Sequence, residues 1–526
     1  MVNAGASRYE TLALGVTREL RYGLGVQSAE TASTQARDRF PRQIPYIVGN
    51  EACERFSFYG MVGILTLYVK NHLNQGGSTA SEISHYFKFG VYFMPLFGAW
   101  LSDRVLGRYK TILYISFLYC AGHAVLALSD LTNSVQTKLG LLYFGLVLLS
   151  IGGGGIKPCV SAFVGDQFRP DQNHLLQKAY GMFYWSINFG SFFSFLLIPR
   201  IRDQYGYGWA FGVPGIAMGM ATLIFWLGSR HYKHVPPTGG SGGSFWEMLW
   251  FALMNRGHAR PGKGLWDACR DSFTQEQVDG ARGVTKVIGV FALIPFFWAL
   301  WDQNSTTWVI QGESMVPYHF PNAVLELPVV GWLIKLIAGE TIGAEQMQSM
   351  NAIQVLVLVP LFTYVIYPTL ERYGIKVSTL RRMGTGMLLT AFSFVMIAML
   401  QYRIDAGAKL GILWQTWPYL VLTASEVLVS NTALEFAFRE APASMRSTLM
   451  SLWLLTVAVG NLGVAQIFRL NVKEVTKAGQ EVLYISGVNQ FWLFAGAMFT
   501  VAIAFVLVAR CYQYREDSVS KAAVSH

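Results

Sequence analysis

The chain is 526 residues long, 52% hydrophobic and 14% charged, with a formal net charge of +10 at pH 7. Soluble domains carry about 25% charged residues and chains of this length divide at polar linkers; here the apolar residues run in long blocks, which argues against an ordinary soluble protein and for an all-α integral membrane protein whose spans need roughly 20 apolar residues each. The positive charge reads as Lys and Arg gathered in loops on one membrane face, not as a nucleic-acid surface, and the five cysteines (Cys53, Cys120, Cys159, Cys269, Cys511) have an odd count and no metal-ligand spacing.

Residues 1–43 are polar and Arg-containing and lack the apolar core of a signal peptide, so they are expected to form a cytoplasmic N-terminal tail. Twelve spans are predicted near 44–69, 83–102, 111–129, 139–163, 179–199, 210–229, 287–311, 351–370, 384–402, 415–438, 448–468 and 489–509. Only helices of this kind satisfy their own backbone groups in lipid. The spans group into an N-terminal six-helix bundle (44–229) and a C-terminal six-helix bundle (287–509), joined by a cytoplasmic linker (230–286) and followed by a cytoplasmic C-terminal tail (510–526). The linker contains Gly239-Gly240-Ser241-Gly242-Gly243-Ser244, flexible by composition. Its aromatic stretch 245–255, like Leu327–Ile337 after span 7, is too short to cross and is expected to lie in the interface. Lys and Arg concentrate in the tails and even-numbered loops, which puts both termini in the cytoplasm. Short tails and short outer loops suggest a bacterial inner membrane, and a monomer is expected.

Charge inside an apolar span costs several kcal/mol unless paired or hydrated. Span 1 nevertheless carries Glu51, Glu54 and Arg55; span 2 has His85 and Lys88; span 4 has Lys157; span 7 has Asp302 and Gln303; span 10 has Glu426. Asn188 and Asn351 add polar groups in spans 5 and 8. Glu51 and Arg55 are four residues apart and share a helix face. Polar groups from so many helices are best explained by one hydrated central cavity that binds a solute and carries a proton, because a carboxylate that alternates between a cationic and an apolar setting takes up and releases a proton. Lys88, near the start of its span, could simply snorkel. The glycines Gly152 to Gly155 in span 4 have no Gly-Lys-Ser/Thr after them and are not a phosphate loop; they allow close helix approach or local unwinding, and Pro158 frees backbone groups beside Lys157. Charges in Asp103–Arg108 are suited to latching spans together. No ATP-binding motif, nucleophile cluster or metal cluster is present, so no enzyme activity, cofactor or metal is expected.

Glu51 to Gly60 (EACERFSFYG) is similar to the ExxER motif of the proton-dependent oligopeptide transporter family of the major facilitator superfamily. Gly152 to Phe168 (GGGGIKPCVSAFVGDQF) resembles its span 4 signature, Phe183 to Ser191 its span 5 signature, and Asp103 to Lys110 the superfamily's loop 2–3 motif. Phe297 to Gln303 and Ser425 to Val427 extend the resemblance, which covers roughly residues 44–510.

The resemblance implies a major facilitator fold and proton-coupled import of di- and tripeptides by alternating access. It assigns proton coupling to Glu51, Glu54, Arg55, Lys157, Asp302 and His85. Peptide binding falls to Arg55, Tyr59, Tyr92, Lys157, Asn188, Asn351, Glu426 and Trp453. Lys157 is implied to pair with a span 1 glutamate, and with Arg55 to meet the peptide carboxylate; Glu426 is implied to receive the amino terminus, with Asn188 and Asn351 beside it. The charges suit a zwitterion without the family, since two cations face one acid. Val62 stands where many members have a second span 1 arginine, Phe58 replaces a pocket tyrosine, and Val164 stands where the signature often has Gly. The alternative is another proton-coupled solute, an anion or peptide-like metabolite, on the same scaffold. The expected partners are small peptides, protons and the lipid bilayer, with no nucleic acid.

Overall fold

The computed structural model describes residues 40–237, 245–255, 264–440, 445–476 and 480–512. The expected tails, apart from residues 40–43 and 510–512, and the Gly239–Ser244 linker lie outside the described residues. The architecture is all-α apart from two small hairpins. The first helices are α1 (Ile44–Leu67, continued by a π turn Tyr68–His72), α2 (Gly77–Leu101, continued by a π turn Ser102–Leu106), α3 (Arg108–Leu128), α4 (Val135–Asp166), α5 (Asn173–Tyr205) and α6 (Tyr207–Leu227). The short α7 (Phe245–Met254) matches the stretch expected to lie in the interface, and at 10 residues it is too short to span.

A bent pair follows: α8 (Gln275–Phe291), then α9 (Ile294–Trp301), a 3₁₀ turn (Asp302–Ser305) and α10 (Thr307–Glu313), with 45° between Gln275–Phe291 and Ile294–Glu313. Next come α11 (Asn322–Leu325), α12 (Val330–Ile337) and α13 (Ser349–Pro360), which runs through a π turn (Leu361–Ile366) into α14 (Tyr367–Arg372). The last helices are α15 (Thr379–Asp405), α16 (Thr416–Glu426), α17 (Thr432–Glu440), α18 (Arg446–Asn471) and α19 (Val488–Cys511). One hairpin pairs β1 (Tyr318–His319) with β2 (Thr341–Ile342). The other pairs β3 (Val472–Val475) with β4 (Glu481–Leu483) across a bulge between Val472 and Glu474.

Among the described residues, nine helices are long and apolar enough to cross a membrane, or ten if the bent pair is one span. Helices α1 and α2 have 24 and 25 residues, about 36 Å at 1.5 Å per residue, but they carry the buried charges noted above. Two hydrophobic cores form. One draws on residues from Ile44 to Tyr232, the other on residues from Phe245 to Phe505 together with Leu196. Large apolar side chains such as Phe117, Trp226 and Phe499 are left more than half exposed on the outside, as expected of a surface solvated by lipid.

The span 4 glycines serve close approach and not unwinding, since α4 is continuous through them and through Pro158. A Cβ on Gly98 of α2 would sit 2.1 Å from the Gly155 carbonyl oxygen, so the two helices meet backbone to backbone. The loop 2–3 motif also does structural work: Arg108 Nη1 meets both oxygens of Asp166 at 2.5 Å and ties the start of α3 to the end of α4.

Candidate functional site

Helix α1 brings its three charged residues together on one face. Arg55 Nε donates to Glu51 Oε1 at 2.8 Å and lies 2.6 Å from Glu54 Oε2. All three are buried. The face is closed by α5, where a Cβ on Gly190 would lie 2.6 Å from the Ala52 carbonyl oxygen. Glycine at that place lets the α5 backbone cover the charged turn.

The span 1 glutamates therefore hold Arg55, and Lys157 is placed differently from what the resemblance implies. Its Nζ sits 4.4 Å from the Phe58 ring centroid and 4.2 Å from that of Tyr92, between two aromatic faces. Lys157 has no ion pair among the described residues. Arg55 approaches the same Phe58 ring at 6.0 Å. Phe58 is thus the shared wall between the two cations, and Tyr59 meets it edge-on with centroids 5.3 Å apart.

Glu426 is the last residue of α16, directly before a π turn (Val427–Asn431), an interruption frequent at functional sites. Asn351 of α13 donates its Nδ2 to Glu426 Oε2 at 2.8 Å and lies 3.1 Å from Thr423 Oγ1. Asn188 is not drawn to this acid: its amide donates to the Tyr184 carbonyl one turn back on α5, at 3.0 Å. Trp453 of α18 packs against Phe291 and Trp298, each with centroids 5.7 Å away.

Asp302 occupies the break between α9 and α10, where a helix interruption exposes polar backbone. Its Oδ1 lies 2.5 Å from Lys88 Nζ, and its Oδ2 accepts from Asn461 Nδ2 at 2.7 Å. Lys88 also donates to Ser305 Oγ at 2.6 Å. Lys88 does not snorkel; it is buried and paired. The direction of this network is fixed. The carboxylate only accepts, so Asn461 turns its Nδ2 to Asp302 and its Oδ1 to His85 Nδ1, 2.8 Å away. Nδ1 must therefore carry the proton, and His85 Nε2 accepts from Gln303 Nε2 at 3.1 Å. His85 also stacks on Phe468 at 5.8 Å.

This network belongs to a set of contacts that join residues 40–237 to the later segments at the end of the molecule holding the α1–α2 connection. Lys70 and Asn71 both reach Glu313 at 2.6 Å. Thr66 Oγ1 donates to the Ser305 carbonyl at 2.8 Å, and Gln348 Nε2 to that of Gly63 at 3.1 Å. Arg202 contacts Glu345. Glu481 of β4 accepts from the backbone N–H groups of Ser78 and Thr79 at 2.8 and 2.9 Å, capping α2 from another part of the chain.

Sequence reasoning took Lys88 for a snorkelling lysine and missed Asn461 and Glu481. Lys88 follows His85 by one helical turn, and Asn461 is an isolated amide in an apolar span; both are visible signals. Glu481 lies in a polar connection with nothing to mark it.

The fold and its buried charges define a multi-pass membrane protein. The sequence profile of the POT family matches residues 109–484, and the chain belongs to that family. It is 36% identical over 384 residues to human solute carrier family 15 member 2, an alignment covering 70% of this chain and 50% of that protein. It is also 36% identical over 380 residues to peptide transporter family 1 of Drosophila melanogaster, covering 70% and 49%. The chain spans about half the length of the curated relatives it matches. Among solved structures it resembles an auto inhibited POT family peptide transporter (35% identity, TM-score 0.78, covering 90% of this chain and 98% of that one). The POT family transporter PepTSo is similar at 38% identity and TM-score 0.78, covering 90% and 99%.

Proposed function

We propose that the chain is a proton-coupled symporter that imports di- and tripeptides by alternating access. The observation that carries this reading is the division of charge. Arg55 and Lys157 stand on α1 and α4, whereas Glu426, oriented by Asn351, stands on α16. Lys157 lies between two aromatic faces with no ion pair among the described residues, and so is available to receive a peptide carboxylate; Glu426 is suited to the amino terminus. An acid in the pocket argues against the alternative of an anion carrier. The curated relatives named as peptide transporters point the same way.

Adding α1, α2 and the bent pair to the nine apolar helices gives twelve spans. The two hydrophobic cores favour grouping them as two six-helix bundles, 44–229 and 287–509, with 230–286 as linker. The clustering of Lys and Arg supports cytoplasmic termini in an inner membrane, which makes the α1–α2 end the outer end. Its many cross-segment contacts favour an arrangement closed to the outside, in a protein that acts as a monomer.

In this reading Glu51, Glu54, Asp302 and His85 handle the proton, and Tyr59, Tyr92 and Trp453 wall the pocket, with Asn188 contributing only after its amide leaves the α5 backbone. A proton crossing 100 mV supplies about 2.3 kcal/mol and each pH unit about 1.4 kcal/mol, enough for roughly two to three decades of accumulation. The test is uptake of labelled dialanine into proteoliposomes with an inward proton gradient. Accumulation abolished by an uncoupler and competed by unlabelled di- and tripeptides is the expected result. Folded protein that takes up no member of a peptide panel overturns the reading.

A further inference from the structure

On the second part of the chain, at the end opposite the α1–α2 connection, a groove of about 730 Å³ opens between α14, α15 and α19. That volume falls within the roughly 300–1,000 Å³ of small-molecule sites. Its depth is apolar: Ile366, Leu370, Leu388 and Val506 line it, and Leu388 is exposed. Its mouth is basic. Lys376, Arg381, Arg382 and Arg510 are part of the lining, from the α14–α15 connection, the first turn of α15 and the last turn of α19.

The four cations are not equivalent. Arg382 is already occupied, with Nη2 2.6 Å from Glu435 Oε2 and its guanidinium 5.2 Å from the Tyr367 ring centroid. Lys376, Arg381 and Arg510 are exposed and have no ion pair among the described residues. Arg381 Nη1 donates to the Lys376 carbonyl at 3.1 Å, which holds it across the connection. Along α15 the step from Arg381 to Leu388 is about 10 Å, and along α19 the step from Arg510 to Val506 is about 6 Å, at 1.5 Å per residue. The cations therefore line the groove at helix ends, with apolar wall along α15 and α19 beginning one to two helical turns further in. Helices α15 and α19 both have the length and hydropathy of membrane spans, so the groove is presented to lipid at a helix end.

We infer that this groove is a binding site for one anionic diacyl phospholipid, its phosphate held by Lys376, Arg381 and Arg510 and its acyl chains lying along Leu370, Leu388 and Val506. A basic pocket between spanning helices at an interface recognises such headgroups by charge, while the acyl part gains from apolar contact that water does not offer. The inference stands apart from the transport reading, because none of these residues belongs to the polar site.

The test is native mass spectrometry of the full chain from nanodiscs containing phosphatidylglycerol and phosphatidylcholine in equal amounts. One phosphatidylglycerol per chain is expected to be retained at least tenfold over phosphatidylcholine. The triple variant Lys376→Gln, Arg381→Gln, Arg510→Gln should bring that preference to within about twofold of unity. Leu388→Trp, which fills the groove and leaves the cations, should reduce retention of both lipids. Equal retention of the two lipids by the unmodified chain overturns the proposal, as does a preference unchanged in both variants. A preference that emerges only after residues 513–526, which include Glu516 and Asp517, are removed makes the chain's own tail the occupant and equally overturns it.

Discussion

Lys88 and Asp302 offer the sharpest test of how the α1–α2 end is held closed. Their charged atoms are 2.5 Å apart and the side chains are only 7% and 5% exposed. Lys88→Ala leaves Asp302 with the Asn461 amide as its remaining side-chain donor. Removing one partner of a buried ion pair costs about 3–5 kcal/mol, because the other charge stays buried and uncompensated. At 1.4 kcal/mol per decade, the equilibrium between closed and open forms of this end should move by roughly two to three and a half decades. Spin labels at Leu131→Cys and Tyr484→Cys, both well exposed near this end, read that equilibrium as a distance distribution. Lys88→Ala should populate a long-distance state. The double variant Lys88→Met, Asp302→Asn should return close to the native distribution, since replacing both charges by neutral groups of similar size is often nearly neutral. If single and double variants give the same distribution, the buried charge is not what holds the end closed and the reasoning fails.

Three further outcomes are expected. Glu481→Gln keeps the shape of the α2 cap but leaves one acceptor oxygen where two now receive donors, and sets its amide nitrogen against one of those donors; a lost charged hydrogen bond costs about 1.5–3 kcal/mol, so the same labels should show a shift towards opening of at least about tenfold, and an unchanged distribution would exclude a latch role for Glu481. Gly98→Ala drives a methyl into the Gly155 carbonyl, and overpacking of about 1–3 kcal/mol should lower the melting temperature in detergent; full stability would mean that α2 and α4 can separate at no cost. Glu426→Gln should weaken dipeptide binding at least tenfold by scintillation proximity, whereas Asn351→Ala, which only orients the acid, should cost less; the reverse order would remove Glu426 from the amino-terminal pole.

What the sequence revealed follows the physics of each signal. Charges in apolar spans are costly enough to stand out, so Glu51, Glu54, Arg55, Lys157, Asp302 and Glu426 were legible one by one. Their partners were not. The ExxER spacing shows that Glu51 and Arg55 share a face, yet nothing in the sequence says that the Lys157 ammonium lies between Phe58 and Tyr92 without an ion pair to either glutamate. Lys88 was misread because snorkelling depends on depth, and depth is set by tertiary packing against α9 and α18. That 245–255 is too short to cross was legible from length alone, since 10 helical residues cannot span. Helices α1 and α2 are not among the helices apolar enough to cross a membrane; the proposal that they span rests on reading their polar residues as a cavity lining.

The donor directions around Asn461 lead to a last prediction. A coupling proton taken up by Asp302, as proposed, turns its ion pair with Lys88 into a weaker hydrogen bond to a neutral group. A protonated Asp302 presents a hydroxyl to Asn461. The amide can then turn its Oδ1 towards Asp302, giving up the bond from its Nδ2 to the Val457 carbonyl at 3.0 Å and aiming that Nδ2 at His85 Nδ1. His85 can accept there only by moving its proton to Nε2, where Gln303 Nε2 already donates. One proton on Asp302 thus weakens the link to Lys88 and sets donor against donor at His85, so that two cross-segment contacts fail together. Asn461→Leu removes the amide that transmits this change and leaves the Lys88–Asp302 pair in place. Exchange of labelled dialanine between the two sides without a gradient should persist in that variant, while accumulation driven by a proton gradient should fall at least tenfold. Gradient-driven accumulation at the unmodified level would show that Asp302 and His85 respond to protons independently, and that the amide between them is structural.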